Sequence, residues 1–238
     1  MTSTSTGIGT SAGISTSTGT STAGSAPFAL GAASPRAGTR ALLAAGVAAG
    51  PLFLGTVLLQ AAAHDDFDLR RHPLSSLALG AQGWVQTANF VVCGLMFVAL
   101  AIGLRRRLHP GRAGTWGPAL VAVNGLSLVA AGIFAADPIN GYPAGAVEGA
   151  TLHGILHAAA PAVGGLAGYA TLFVFARRFA GLGRRGWVVA SVAVLPADLV
   201  LTAVAMAAGD FRWMLLGLGL GYAWTAAVAL DLLRSSER

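Results

Sequence analysis

Six apolar runs, each of roughly 20 residues, dominate the chain: near 41–63, 84–104, 117–136, 153–176, 187–208 and 213–233. At about 1.5 Å per residue, a helix of about 20 apolar residues matches the ~30 Å of hydrocarbon in a bilayer. Within hydrocarbon every backbone N–H and C=O must be paired inside the protein, and a helix meets that demand by itself. The expected fold is therefore all-α, a polytopic bundle of six transmembrane helices occupying residues 39–238. The GDFRW connection (Gly209 to Trp213) is so short that the last two helices should form an antiparallel hairpin.

Composition agrees. The chain has 238 residues, of which 55% are hydrophobic and 10% charged, and a mean hydropathy of +0.68, whereas soluble domains carry about 25% charged residues. A net charge of +6 raises the question of nucleic acid, but the arginines sit in short clusters between apolar runs, with no basic face interleaved with aromatics. No nucleic-acid partner is expected; the partner implied is the lipid bilayer. All 15 basic residues are arginine, which with the abundance of alanine and glycine suggests a GC-rich bacterial genome. The one cysteine, Cys93, lies in an apolar run and excludes an intrachain disulfide or a cysteine metal cluster.

Arginine placement orients the bundle, because basic residues are retained in cytoplasmic loops. Arg36, Arg40, Arg105, Arg106, Arg107, Arg112, Arg177, Arg178, Arg184, Arg185, Arg234 and Arg238 fall on one side, and only Arg70, Arg71 and Arg212 on the other. Twelve against three predicts both termini in the cytoplasm and residence in a bacterial inner membrane. Asp65, Asp66, Asp68, Asp137, Glu148 and Asp210 all fall outside, and Trp84, Trp116, Trp187 and Trp213 lie at span ends, where indoles favour the interface. Residues 1–38, rich in Ser, Thr, Gly and Ala, offer too little apolar surface to offset ordering and read as a disordered cytoplasmic tail.

Polar residues then mark a candidate site at the outer end. TLHGILH (Thr151 to His157) opens the fourth span with two histidines four apart, on one helix face. HDDFDLRRHPLSS (His64 to Ser76) supplies His72, Ser75 and Ser76, with a helix expected to start just after Pro73; ADPINGYPAGAVEG (Ala136 to Gly149) supplies Asp137 and turn-forming Asn-Gly and proline. Both loops should pack over the mouth of the bundle. Histidines at this spacing bind one metal in the HExxH motif, but Gly-Ile-Leu between these two lacks the glutamate base. With His72 as third ligand to His153 and His157, and with His64, Asp137 or Glu148 as substitutes, the donor set suits zinc carrying a water; Asp137 or Ser75 would assist the chemistry. Asp198 is a separate clue. It lies about 16 Å into the fifth span, just after Pro196, where a carboxylate is costly, so the group should be neutral or should face a polar cavity with partners such as Asn89, Asn124 or Ser127.

RHPLSSLALGAQGW, IFAADPINGYP and TLHGILH together resemble domain-of-unknown-function family 998, six-span prokaryotic membrane proteins, over roughly residues 41–233. That resemblance implies the six-span fold, makes His72, Pro73, Ser75, Asp137, Pro138, His153 and His157 characteristic positions, and implies no activity. In residue types the Ser75, Asp137, His72, His153 and His157 set also resembles the alkaline ceramidase and adiponectin-receptor superfamily, which places a serine, an aspartate and three histidines around zinc. This chain departs from it in having six spans, with HxxxH in the fourth.

Three functions fit the residues. In the first, the chain is a zinc-dependent membrane hydrolase of a lipid-like amide or ester. In the second it is a permease or a binder of a lipid-like or small-molecule ligand, using Asp198 and the small-residue helix faces. In the third the histidines and Asp137 anchor irregular loops to a structural bundle. Substrate and oligomeric state are not written in these motifs.

Overall fold

The computed structural model describes Gly7 and residues 35–235. Among the described residues the chain folds as α1 (Pro35–Ala63), a short 3-10 helix η1 (Leu74–Ala78), α2 (Gly83–Leu108), α3 (Arg112–Ile133), α4 (Leu152–Gly181), α5 (Arg185–Ala208) and α6 (Arg212–Ser235). Six of these helices are long and apolar enough to cross a membrane, and the described residues hold no named strand. The expected spans thus appear in order, each somewhat longer than its apolar core. The first extends furthest: Pro35 to Gly38, assigned by sequence to the tail, are its opening turn. A proline is pre-shaped for the first helical position, where its missing N–H costs nothing. The rest of the expected tail, residues 1–34, lies outside the described residues apart from Gly7.

Each long helix packs on the next in sequence, and α6 returns to α1, so the six close a ring. In hydrocarbon there is little hydrophobic drive to bring helices together, and close backbone approach through small residues supplies the contact instead. The α2/α3 pair shows this most directly. A Cβ on Gly94 would lie 2.6 Å from the Gly125 carbonyl oxygen, and one on Gly125 would lie 2.6 Å from that of Gly94. Gly50 likewise lets α1 meet Tyr222 of α6, with 2.7 Å to the added atom, and Gly164 of α4 accommodates Ser127 Oγ of α3 at 1.9 Å. Aromatic and aliphatic side chains such as Phe53, Phe97, Leu100 and Phe175 fill the space these contacts leave.

The outer surface of the ring is apolar. Leu59, Leu166, Val189 and Met206 are among the large hydrophobic side chains left exposed, as a lipid surround accommodates. Trp84 and Trp116 are also exposed at helix ends. Of the five tryptophans, Trp224 alone is buried, donating from Nε1 to Ser191 Oγ at 3.0 Å between α6 and α5. The α5–α6 connection turns at Gly209, whose left-handed φ of 63° lets the chain reverse at once into the expected hairpin.

At the arginine-rich end, Arg184 in the α4–α5 turn makes a two-pronged ion pair with Asp231 of α6, at 2.6 and 2.7 Å. Its guanidinium also lies 5.3 Å from the Phe179 ring centroid and 5.1 Å from that of Trp187. The carboxylate raises the arginine's already high pKa, so the pair is permanently charged in any physiological solution.

Candidate functional site

At the opposite end, three loops interlock. Asn140 Nδ2, in the second loop, donates to Arg71 O of the first at 2.6 Å, and Phe211 N donates to Arg70 O at 2.9 Å from the α5–α6 turn. Asn140 adopts φ 58°, a left-handed conformation that asparagine tolerates better than most residues. Phe67, His72 and Tyr142 form an aromatic cluster across the first two loops: the His72 ring is 5.3 Å from Phe67 and 5.1 Å from Tyr142. Pro73 precedes η1, as its bias against helix at the preceding residue requires.

Within this cap His72 is buried and accepts at Nδ1 from the Asp68 backbone N–H at 3.0 Å. The neutral ring therefore carries its proton on Nε2. His157 is also buried, and its Nδ1 lies 2.9 Å from both Ala131 O and Phe134 O. Carbonyls only accept, so here Nδ1 carries the proton and closes the open C-terminal end of α3. His153, one turn earlier on α4, is exposed and lies against Phe134, with ring centroids 5.8 Å apart. Four residues advance a helix by about 400°, and the residual rotation separates a buried from an exposed position at the rim of the ring.

Asp137 works on the same helix end. It accepts from Thr151 N at 2.9 Å and Thr151 Oγ1 at 2.6 Å, while Thr151 Oγ1 accepts from Gly154 N at 3.0 Å as the cap of α4. The Thr151 hydroxyl, then the Thr151 backbone N–H, hold the carboxyl below its usual range. Gly154 is required for this arrangement, because a Cβ there would fall 1.8 Å from Asp137 Oδ2. The other two fallback ligands are engaged elsewhere: His64 Nδ1 bonds Gln60 O at 2.7 Å at the end of α1, and Glu148 accepts from Gly141 N at 2.8 Å. Among the described residues no group of three or more His, Cys, Asp or Glu is gathered as a metal ion would need.

Below the cap, the ring holds a cavity of about 830 Å³ that is partly open to the surface. His72, Ser75 and His157 line its capped end, so the structure brings these three to one chamber and leaves His153 and Asp137 off its wall. Asn124, Tyr169 and Asp198 supply polar groups deeper down and Thr202 one nearer the cap, among Phe53, Phe90, Phe97, Leu128, Leu172 and Tyr222. Tyr169 Oη donates a short hydrogen bond to Asp198 Oδ2, joining α4 to α5. Both residues stand about a dozen positions from the 182–184 turn, hence at the same depth. The partners expected for Asp198 are occupied otherwise. Asn89 donates to Phe53 O at 3.1 Å and faces α1; Asn124 donates to Gly164 O at 2.9 Å; and Ser127 donates to Asn124 O at 2.7 Å. Sequence reasoning passed over Tyr169, although a tyrosine in mid-span was the available signal. It also passed over Gln60 and Gln86, bonded at 2.9 Å in the α1/α2 core.

Two kinds of glycine face inward. Those at Gly94, Gly125 and Gly164 are packed solid. Gly165 and Gly221 line the cavity, and a Cβ at either would meet nothing within 4 Å. Ala158, Pro161, Ala162 and Leu166 line the cavity yet are exposed, so its wall reaches the outer surface along the capped half of α4.

A family model described as Protein of unknown function (DUF998) matches residues 47–231. The chain belongs to this family. The DUF998 match takes in every cavity-lining residue named above, from Phe53 to Tyr222, together with Asp137 and the whole of TLHGILH. No curated protein and no solved structure matches the chain. The DUF998 assignment therefore joins the six apolar helices in identifying a multi-pass membrane protein, and brings no activity with it.

Proposed function

We propose that this DUF998 protein is a ligand-binding membrane protein that holds a lipid-like small molecule in its central cavity. The observation that carries the reading is the wall of that cavity. Its volume of about 830 Å³ suits a small molecule, ligand pockets running to roughly 300–1,000 Å³. Gly165 and Gly221 keep it open where an added Cβ would meet nothing within 4 Å. Each glycine in a helix costs about 1 kcal/mol relative to alanine, so the space is maintained against local stability. Apolar walls with a few polar groups suit a molecule with a long apolar body and one polar end.

Orientation and location belong to the same reading. The protein resides in a bacterial inner membrane, with both termini cytoplasmic and the loop cap facing outward. The twelve-to-three arginine bias supports this sidedness, and the all-arginine basic complement supports a bacterial source.

Tritiated dodecanol offered to the protein in phosphatidylcholine nanodiscs should be retained above empty discs. Gly165→Phe, which fills open space, should cut that retention while leaving the thermal midpoint unchanged or higher. Retention equal to empty discs, or unaffected by Gly165→Phe, would refute cavity binding.

A further inference from the structure

Asp198 is a carboxylate near the middle of a membrane-spanning helix, a position where charge is costly and is seldom retained without a partner. It lines the cavity, and its hydrogen-bond donor is the neutral phenol of Tyr169. The site is built to hold it: Gly217 of α6 leaves room for the other carboxylate oxygen, since a Cβ there would lie 2.2 Å from Asp198 Oδ1. Among the described residues no arginine lines the cavity, and the chain has no lysine. His72 and His157, the cavity's remaining basic groups, are fixed by backbone bonds at the capped end. Along α4, His157 is about 18 Å from Tyr169, too far to neutralise the carboxylate directly.

From this geometry, and resting on the ligand-binding reading above, we infer that the ligand is a cationic amphiphile, an alkyl amine whose ammonium is bound by Asp198 while Tyr169 orients the carboxylate. The apolar chain occupies the aromatic and aliphatic wall toward the cap. Entry is from the bilayer, where Ala158, Ala162 and Leu166 of α4 belong at once to the cavity wall and to the lipid-facing surface. A fatty acid would meet repulsion at Asp198, and a fatty alcohol would find a hydrogen-bond acceptor without a compensating charge.

The test compares tritiated dodecylamine, dodecanol and dodecanoate in phosphatidylcholine nanodiscs, with empty discs as baseline. Dodecylamine should be retained at least about tenfold more tightly than dodecanol, the scale of a hydrogen bond to a charged group. Asp198→Asn should remove that preference while dodecanol retention, which reports the folded cavity, persists; Asp198→Glu should keep the preference. An amine bound no better than the alcohol, or a preference that survives Asp198→Asn, overturns the inference and leaves cavity binding standing. Retention of none of the three overturns both.

Discussion

Asp137, a catalytic candidate in sequence, fastens the start of α4. Its two bonds to Thr151 fix the entry of α4, and the charge sits at a helix N-terminus, where the backbone dipole favours it. Because the folded carboxyl titrates below its ordinary 3.8, the stabilisation is complete above that value and is lost as pH falls through the lower folded value. Asp137→Asn should therefore lower the thermal midpoint in detergent at pH 7, and the gap between variant and parent should narrow below about pH 3.8. A gap that stayed constant between pH 7 and pH 3 would show that the charge contributes nothing. The histidines divide in the same way: His157 closes α3 with its Nδ1 proton, whereas His153 contributes an exposed ring against Phe134. TLHGILH was legible as a helix start with a polar face. Its separation into one inward and one outward histidine was not, because one helix face can straddle the rim between cavity and lipid.

Glycine carries opposite meanings within a single helix ring. Gly94 and Gly125 bring α2 and α3 into backbone contact, so Gly94→Ala must separate the helices or distort them, at a cost of about 1–3 kcal/mol. Gly165→Ala meets open space and removes a helix-weakening residue, for a gain of up to about 1 kcal/mol. Unfolding midpoints of the two variants in the same detergent should move in opposite directions, and movement in the same direction would contradict the division into packing and cavity glycines. The six helices themselves could be read from apolar run length alone, since hydrocarbon thickness sets that length. Which glycine faces a neighbour and which faces a void depends on helix rotation, and the nearly continuous apolar character of the spans leaves rotation unspecified.

For the whole molecule, arginine bias is a statement about which end of the ring is retained inside the cell. Val147 is 89% exposed in the α3–α4 loop and Arg112 is exposed at the start of α3, at opposite ends of the bundle. The native Cys93 is buried and should be silent to thiol reagents. A membrane-impermeant maleimide should accordingly label Val147→Cys in intact cells and Arg112→Cys only after permeabilisation; the reverse pattern would invert the topology.

Length, hydropathy and arginine placement by themselves determined six spans, their order and an expected sidedness, because bilayer thickness and charge retention act on local sequence. Turn chemistry likewise marked the loops that meet over the mouth. Only the tertiary structure decided that α6 closes on α1 around a partly open chamber, that Asp198 answers to Tyr169 and not to Asn89, Asn124 or Ser127, and that Asp137 fastens a helix end outside the cavity wall. These outcomes depend on helix rotation and on which small residues let backbones touch. Such pairings join residues far apart in the chain, and no local pattern records them.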